Sequence, residues 1–417
     1  MNVLFLNAWD QEGGAARAAC RLLTGVRQYG VDARMLVKKK TFTNDLILGP
    51  HTRMDRVMAY LRPILEFYCV NRYPNWNGLS FSPALFPDRL LGQVNRLSPN
   101  IVHLHWMADG FLKVETLPRF QQPLLWTLHD SWPFTGGCHV PFDCTRYRQS
   151  CGSCPSLGSA REGDLSRRVW LRKKKAWRNL NLTIVSPSNW LAACARSSSL
   201  LHNFRIEVIP NGLDLQRYRP VDKGTARKAL SLPKDRKLIL FGGIRGTSDR
   251  NKGFHLLQTS LKKLAAEGWG EKAELLIFGS PKPTSPSELG MKANYLGWLH
   301  DDISISLLYA AADIFVIPSI QENLPNTILE AMACGTPCIA FDQGGVPDLI
   351  EHERNGYLAR PFEADDLARG IAWMLESEER RRLLSIRARQ KVEAGFSLDQ
   401  VAKRYVALYD KLLGALQ

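Results

Sequence analysis

The chain has 417 residues, of which 45% are hydrophobic and 23% are charged. At ~100–200 residues per domain this length predicts two to four domains, and the composition excludes a small disulfide scaffold, a disordered chain and a polytopic membrane protein. The 55 Lys and Arg residues exceed the 40 Asp and Glu residues, which gives a net charge of +15. Residues 1–210 hold 27 basic and 14 acidic residues, and their net charge of +13 predicts an anionic partner: nucleic acid, a lipid surface or a phosphorylated small molecule.

The N-terminal run from Met1 to Asn7 predicts a strand and not a signal peptide, because no basic region precedes it and Asp10 follows soon after. No stretch reaches ~18 uninterrupted apolar residues, the length that a transmembrane helix needs. We therefore expect a cytoplasmic protein whose membrane contact, where it has one, is peripheral and at the inner face of the cytoplasmic membrane.

Short apolar runs rich in β-branched residues alternate with helical patterns along the chain, which predicts an α/β fold with parallel sheets. In the first half the predicted strands read VLFLNAW, ARMLVKK, IVHLHW, LLWTLHD and LTIVSPS. Gly13 and Gly14 follow the first strand, where amides at a helix start would suit a phosphate or carboxylate; a simple strand-to-helix turn explains the pair as well. His129 lies at the end of the fourth strand, where open parallel sheets bind ligands.

Four of the nine cysteines are clustered in the segment GGCHVPFDCTRYRQSCGSCP. The closing C-x-x-C pair and the Gly and Pro turns are similar to a small zinc-binding loop, which would hold a structural zinc. Two disulfides and four reduced thiols are the alternatives. The ligands of such a zinc would be Cys138, Cys144, Cys151 and Cys154.

The strongest run of positive charge, RRVWLRKKKAWRN, covers residues 167–179. As a helix it would place Trp170 and Trp177 two turns apart on one face, with Lys and Arg over much of the rest. Two interpretations fit this pattern. The helix lies on an anionic membrane leaflet, or its tryptophans pack on the domain core.

A second series of strands follows the turn at Asn211 and Gly212, where the charge balance also changes. These strands read KLILFGGI, AELLIFGS, ANYLGWL, DIFVIPS, PCIAFD and NGYLA. We therefore expect two facing Rossmann-like domains, over residues 1–210 and 211–395, with a hinge between them. A C-terminal helix over 396–417 is expected to pack back on the first domain.

The segment 313–359 carries the second candidate site. Glu322 lies in a loop after a predicted strand, and Glu330 follows eight positions later inside a helix. The two carboxylates can accept hydrogen bonds from hydroxyls at two places on an extended ligand, while the amides around Asn323 and Leu324 could hold a diphosphate at the helix start.

The E-x7-E spacing, the surrounding LPNTILEAMACGTPCIA and the following GGVPDLI resemble the pattern of the family 4 retaining glycosyltransferases, which have the GT-B fold. The resemblance extends to TLHD, VSPSNWL, the NKGF turn and the C-terminal helix. The cysteine-rich central loop is similar to a subgroup that acts in bacterial exopolysaccharide and lipopolysaccharide assembly. The resemblance implies a hexosyltransferase that moves a sugar from a nucleoside-diphosphate donor to a hydroxyl of a saccharide or lipid-linked saccharide, with retention at the anomeric carbon.

The resemblance also implies roles for single residues. Glu330 would bind the ribose, Glu322 the sugar hydroxyls and Lys252 the diphosphate, while His129 would contact the transferred sugar. Either Arg245 or Arg250 would assist Lys252. The residues expected to contact the donor are Gly13, Gly14, Arg245, Lys252, Glu322, Asn323, Leu324 and Glu330, and those expected to act in catalysis are His129, Lys252 and Glu322.

The chain shows no Asp-rich metal-binding pattern, so we expect transfer without a metal and without an obligatory cofactor. A nucleotide-sugar epimerase or a phosphorylase with the same fold is an alternative. A second alternative is a non-enzymatic protein that binds polyanions or a membrane surface. We expect no nucleic-acid partner, because no recognised nucleic-acid motif accompanies the charge. The donor base (UDP, GDP or ADP), its sugar, the acceptor and the oligomeric state stay open.

Overall fold

The computed structural model describes residues 1–283, 288–299 and 301–414. The chain divides into two compact units, one formed by Met1–Asn211 with Val401–Gln417 and the other by Gly212–Gln400. Residues 396–400, expected in the C-terminal helix against the first domain, fall in the second unit. Two backbone hydrogen bonds explain this difference, since Leu213 N bonds Phe396 O and Leu398 N bonds Leu213 O, both at 2.9 Å.

The first unit contains one sheet of seven parallel strands in the order β3-β2-β1-β4-β5-β6-β7. The strand order changes direction between β1 and β4, whose carboxyl ends therefore border a crevice of the kind that binds ligands in such sheets. The strands are β1 (Asn2–Trp9), β2 (Asp32–Lys39), β3 (Ile47–Leu48), β4 (Ile101–Leu104), β5 (Leu124–Thr127), β6 (Leu182–Ser186) and β7 (Arg205–Val208). The helices are α1 (Gly14–Arg27), α2 (Arg53–Asn71), α3 (Leu90–Leu97), α4 (Leu165–Trp177) and α5 (Asn189–Ser197).

The second unit contains one sheet of six parallel strands in the order β10-β9-β8-β11-β12-β13, with the change of direction between β8 and β11. Its strands are β8 (Lys237–Gly242), β9 (Ala273–Phe278), β10 (Ala293–Tyr295), β11 (Ile314–Ile317), β12 (Cys338–Phe341) and β13 (Gly356–Ala359). Its helices are α6 (Lys223–Ala229), α7 (Phe254–Leu264), α8 (Asp302–Ala311), α9 (Asn326–Ala333), α10 (Ala364–Glu376) and α11 (Glu378–Gly395). The last helix, α12 (Leu398–Gly414), begins in this unit and continues in the first.

The central strands are apolar along their whole length because both faces of each sheet are covered. Every residue of β4, β5, β11 and β12 is buried. This burial explains why short runs such as LLWT and IFVI form strands despite lacking an alternating pattern. The prediction of an α/β fold with two parallel-sheet, Rossmann-like domains is confirmed.

Helix α4 packs its tryptophans inward. Trp170 and Trp177 are 3% and 2% exposed, and Lys173 between them is fully buried. The Lys173 ammonium donates to the carbonyls of Trp132 and Thr135 at 2.5 and 3.1 Å and lies 3.7 Å from the Trp132 ring centroid. Of the two interpretations of this basic run, the structure favours the one that places the tryptophans in the core.

The cysteine-rich loop contains four free thiols, with Cys138, Cys151 and Cys154 buried. Within the described parts of the chain, no group of three or more His, Cys, Asp or Glu side chains is placed to hold a metal ion. Zinc binding by Cys138, Cys144, Cys151 and Cys154 stays a prediction, and burial raises the pKa of the Cys151 thiol to about 12. Cys151 and Cys154 pack in apolar clusters of the first unit.

Candidate functional site

The second-unit candidates lie at the topological switch point of its sheet. Strands β8 and β11 are hydrogen-bonded neighbours, and the loops after them carry Lys252 and Glu322. Because the two strands are parallel, both loops leave the same edge of the sheet. The topology therefore places two residues that are 70 positions apart at one site.

Lys252 and Glu322 form an ion pair. Nζ of Lys252 donates to Oε1 of Glu322 at 2.7 Å, and their side chains are 32% and 16% exposed. Burial lowers the pKa of Lys252, but the charge and the hydrogen bond of Glu322 outweigh it and leave the pKa above its ordinary value. The site thus holds a protonated ammonium beside a carboxylate, both partly open to solvent.

Three hydrogen bonds of Asn251 join the loop that carries Lys252 to the loop that carries Glu322. The Asn251 side chain donates to Gln321 O at 2.9 Å and accepts from Gln321 N at 3.1 Å, while Asn251 O accepts from Ile320 N at 2.8 Å. Gly253 follows with φ +68°, and a Cβ there would lie 1.7 Å from Pro318 O. Only glycine fits this position, because the backbone is left-handed and the other loop is in contact with it.

A second glycine, Gly344, lies against the backbone of Glu322. Gly344 has φ +61°, and a Cβ there would meet Glu322 O at 2.2 Å. The next amide, Gly345 N, donates to the same oxygen at 3.0 Å. The GGVPDLI segment therefore fixes the backbone of Glu322, a role that its sequence alone does not indicate.

Glu330 lies inside α9 and is only 2% exposed. Its Oε2 accepts a hydrogen bond from the Tyr309 hydroxyl at 3.3 Å. Burial and the nearby Glu330 charge raise the pKa of Tyr309 far above its ordinary value, so the hydroxyl stays a donor. Tyr309 orients this carboxylate and was not singled out from the sequence, since nothing in its local pattern distinguishes it from a core residue.

Asn323 and Leu324 precede α9, which begins at Asn326 without a side-chain cap. Their backbone thus leads into a helix start whose amides favour negative charge. Two oxygens in the preceding loop, Ser319 Oγ and Gln321 Oε1, are buried and have no hydrogen-bond partner among the described residues. Unpaired buried polar atoms are costly, and these two lie in the loop that carries Glu322.

The two candidate arginines differ in backbone conformation. Arg245 has φ +57°, a left-handed conformation that costs a non-glycine residue roughly 1–2 kcal/mol. Its amide bonds Gly279 O at 3.1 Å, which holds the loop after β8 in place. Arg250 lies in a 3-10 turn next to Lys252, and both arginine side chains are exposed. Arg245 shares this left-handed conformation with other non-glycine residues of the chain, such as Ala84 and Ser231, so it does not decide between the two arginines.

The first-unit candidates follow β1 and β5. Gly13 caps α1 with φ +92°, and a Cβ there would meet open space, so the left-handed backbone alone requires glycine. Gly14 is the first residue of α1, whose first turn contains no acidic residue. This helix start at the switch point between β1 and β4 fits an anionic group.

His129, two residues after the end of β5, packs against His105, whose ring in turn contacts that of His103. His105 Nδ1 and His129 Nε2 are 3.0 Å apart, and His103 bonds the hydroxyls of Thr127 and Tyr409, each at 2.8 Å. Burial lowers the pKa of His129 to about 4, against the raising effect of Asp130. His129 is therefore a neutral imidazole at neutral pH, and it is held by His105, a contact that the sequence does not reveal.

Asp130 anchors the same loop by a separate set of contacts. Its carboxylate lies 2.6 Å from His139 Nδ1 and accepts from Trp106 Nε1 at 2.7 Å and Trp132 N at 2.9 Å. Although burial raises the pKa of this carboxyl, His139 and the other hydrogen bonds lower it below its ordinary value. Asp130 is thus an ionised positioning group next to His129, and the TLHD motif is the sequence signal by which it could have been found.

Taken unit by unit, the structure brings Lys252 and Glu322 into direct contact and places Asn323, Leu324 and Glu330 on the same strand–loop–helix segment. In the first unit it places the Gly13 turn and His129 after strands of one sheet. Among the described residues, none of the helices has the length and apolar character that crossing a bilayer requires.

Two family models match consecutive parts of the chain. The one described as Glycosyltransferase Family 4 matches residues 12–217, and the one described as Glycosyl transferases group 1 matches residues 222–391. An uncharacterised glycosyltransferase from Methanocaldococcus jannaschii is 31% identical over 216 residues, which make up 49% of this chain and 54% of the relative. The chain spans about half the length of the curated relatives it matches.

Solved structures show the same fold. The sucrose-phosphate synthase of Thermosynechococcus elongatus has a TM-score of 0.72 at 19% identity, with 100% of both chains covered. Anabaena HepE, solved in complex with UDP and glucose, has a TM-score of 0.68 at 17% identity, with 98% of this chain and 99% of that chain covered. The two family models show that the chain is built from glycosyltransferase domains over residues 12–217 and 222–391, and the solved structures show that its fold is GT-B.

Proposed function

We propose that the chain is a retaining hexosyltransferase that moves a sugar from a nucleoside-diphosphate sugar to an acceptor hydroxyl. The observation that carries the proposal is the pair of Lys252 and Glu322, 2.7 Å apart at the switch point of the second sheet. An ammonium and a carboxylate side by side suit the two ends of such a donor. The cation meets the diphosphate, and the carboxylate accepts from sugar hydroxyls.

The chemistry explains why a cation is needed at this place. Breaking the anomeric C–O bond leaves negative charge on the diphosphate and an oxocarbenium-like carbon on the sugar. Lys252, assisted by Arg245 or Arg250 and by the amides around Asn323 and Leu324, would stabilise the leaving group. We therefore propose that transfer proceeds without a metal ion.

Other residues would position the donor and the sugar. Glu330, held by Tyr309, would accept hydrogen bonds from the ribose hydroxyls. His129, as a neutral imidazole, would contact the transferred sugar, with His105 fixing its ring. The helix start at Gly13 and Gly14 is proposed to contact the anionic part of the donor.

Two resemblances to other proteins support a more specific proposal for the acceptor and the donor. The central cysteine-rich loop resembles that of enzymes of exopolysaccharide and lipopolysaccharide assembly, which supports a saccharide or lipid-linked saccharide as acceptor. The structure of Anabaena HepE was solved in complex with UDP and glucose, so a UDP-sugar is the first donor to test. We propose a role in bacterial surface polysaccharide assembly, inside the cell.

The donor can be identified by thermal shift with UDP-, GDP- and ADP-sugars, each with and without EDTA. We expect one nucleotide class to raise the melting temperature, with no effect of EDTA. Product made with that donor should keep the anomeric configuration of the donor when followed by proton NMR. Conversion of the donor alone to its epimer would indicate an epimerase, and dependence on inorganic phosphate would indicate a phosphorylase. Binding of no nucleotide would contradict the proposal.

A further inference from the structure

Helix α2 exposes most of its large apolar side chains and buries three charged ones, Asp55, Arg62 and Glu66. Tyr60 is 71% exposed, Tyr68 61% and Met54 56%. An apolar row runs along the exposed side with spacings of three or four residues, as neighbours on one helix face have. This row consists of Met54, Val57, Leu61, Leu65 and Tyr68, and it is flanked by Tyr60 and Phe67.

The buried side of α2 is held by polar contacts. Arg62 Nη1 donates to Phe111 O at 3.2 Å, and Glu66 Oε1 accepts from Leu85 N at 3.3 Å. Asp55 is paired with Arg89 at 3.2 Å and closes a capping box at the start of the helix. These contacts set the rotation of the helix, so its apolar row cannot turn inward without breaking buried hydrogen bonds and an ion pair.

The charges left on the surface of α2 are positive. Its two acidic residues, Asp55 and Glu66, are both buried, whereas Arg53 and Arg56 are exposed, as is Arg72 directly after the helix. The unit that carries α2 holds 30 Lys and Arg against 15 Asp and Glu, a net charge of +15, while the other unit holds 25 of each. The whole excess positive charge of the chain is thus on the unit that displays this helix.

We propose that α2 is a membrane-docking helix that lies flat on an anionic lipid bilayer. Its apolar row enters the headgroup–acyl boundary, Tyr60, Phe67 and Tyr68 take the interfacial positions that aromatic side chains favour, and the three arginines meet lipid phosphates. Charge complementarity selects a lipid surface over a second copy of this chain, since two such faces would bring like charges together. The inference rests on exposure and charge and does not depend on the proposed enzymatic activity.

The test is vesicle flotation of the full-length protein. We expect binding to vesicles of phosphatidylcholine with phosphatidylglycerol at low salt, weaker binding at high salt and little binding to phosphatidylcholine alone. The double variant Leu61→Ser/Tyr68→Ser should lower the partition coefficient at least about tenfold, and Arg53→Glu/Arg56→Glu should remove the preference for anionic lipid. Both pairs are exposed, so each variant should keep the wild-type melting temperature.

The matched control replaces exposed apolar residues of the other unit. Ile303 is 70% exposed and Ile386 44% exposed, and Ile303→Ser/Ile386→Ser should leave vesicle binding unchanged. Absence of binding to anionic vesicles at low salt, or equal binding by the α2 variant, would overturn the proposal. So would light scattering that shows a dimer in the wild type and a monomer in Leu61→Ser/Tyr68→Ser, because a second copy would then cover the helix. Nucleotide binding, measured in parallel, separates this outcome from a failure of the enzymatic proposal.

Discussion

The ammonium of Lys252 donates a hydrogen bond to the carboxylate of Glu322 at 2.7 Å, across 70 positions of sequence. The contact joins the loops that leave two adjacent parallel strands. It also leaves each group available to exchange its partner for a ligand, because both side chains are partly exposed. A nucleotide-sugar donor that replaced this ion pair would offer its diphosphate to the ammonium and hydroxyl hydrogen-bond donors to the carboxylate.

Lys252→Ala should lower kcat/KM about 10²- to 10³-fold, the usual effect of removing one electrostatic contact to a leaving group. The melting temperature should change little, because a partly exposed ion pair contributes about 1 kcal/mol or less. Lys252→Arg should restore part of the rate by restoring the positive charge. The matched control is Lys262→Ala, an exposed lysine on α7 of the same unit, which should turn over as wild type does. Wild-type turnover in Lys252→Ala would exclude the assigned role.

Gly253→Ala should destabilise the protein by at least about 2 kcal/mol, because the new Cβ would need a left-handed backbone and would collide with Pro318 O. Gly268→Ala is the control. Gly268 has φ +85° with nothing within 4 Å of a Cβ, so only the conformational cost of about 1 kcal/mol applies. Urea unfolding measures both variants. Equal losses of stability would show that the approach of the two loops is not as close as described.

The lowered pKa of His129 predicts a dependence of stability on pH. The pKa of this ring is about 4 in the folded protein, whereas in the unfolded chain it is ~6.5. The unfolded state therefore takes up more protons between these values, and the free energy of unfolding should fall as the pH falls from about 6.5 to 4. His129→Asn should flatten this part of the profile in denaturant titrations. An unchanged slope would indicate that His129 titrates normally.

The lowered pKa of Lys173 predicts a second dependence of stability on pH, at pH values above 7. Burial lowers its pKa to about 7, so above pH 7 the unfolded chain is protonated there and the folded protein is not. The free energy of unfolding of the wild type should rise relative to that of Lys173→Met, by up to about 1.4 kcal/mol per pH unit. Urea titrations from pH 7 to 8.5 measure the free energy of unfolding of both proteins. This range does not exceed the ordinary pKa of cysteine, so titration of the thiols adds little to the difference. Parallel profiles for the two proteins would show that Lys173 stays charged.

Much of the second-unit site could be predicted from the sequence. The spacing of Glu322 and Glu330, the glycines and the cationic turn at Lys252 all lie in loops after apolar strands, where parallel sheets bind ligands. The contacts that align them could not be predicted. Tyr309 looks like any core residue, and the need for Gly253 arises only because Pro318 O lies against it.

The first-unit site was predicted less fully. His129 stands out at a strand end, but nothing in the sequence shows that His105 lies 3.0 Å from it. The short strands β3 and β7 were also missed. They lie at the sheet edges, where two to four residues suffice and no alternating pattern develops.

Alternating apolar runs and helical patterns determined the α/β class and most strands of this chain, since each strand of a covered parallel sheet must be apolar on both faces. Periodicity also determined which residues share a helix face. It did not determine which face meets the core, and only the tertiary structure decided that. Helix α4, rich in cations, turns Trp170 and Trp177 inward, whereas α2 turns Asp55 and Glu66 inward and leaves its apolar row outside, because long-range partners such as Arg89 and Leu85 N satisfy those buried carboxylates.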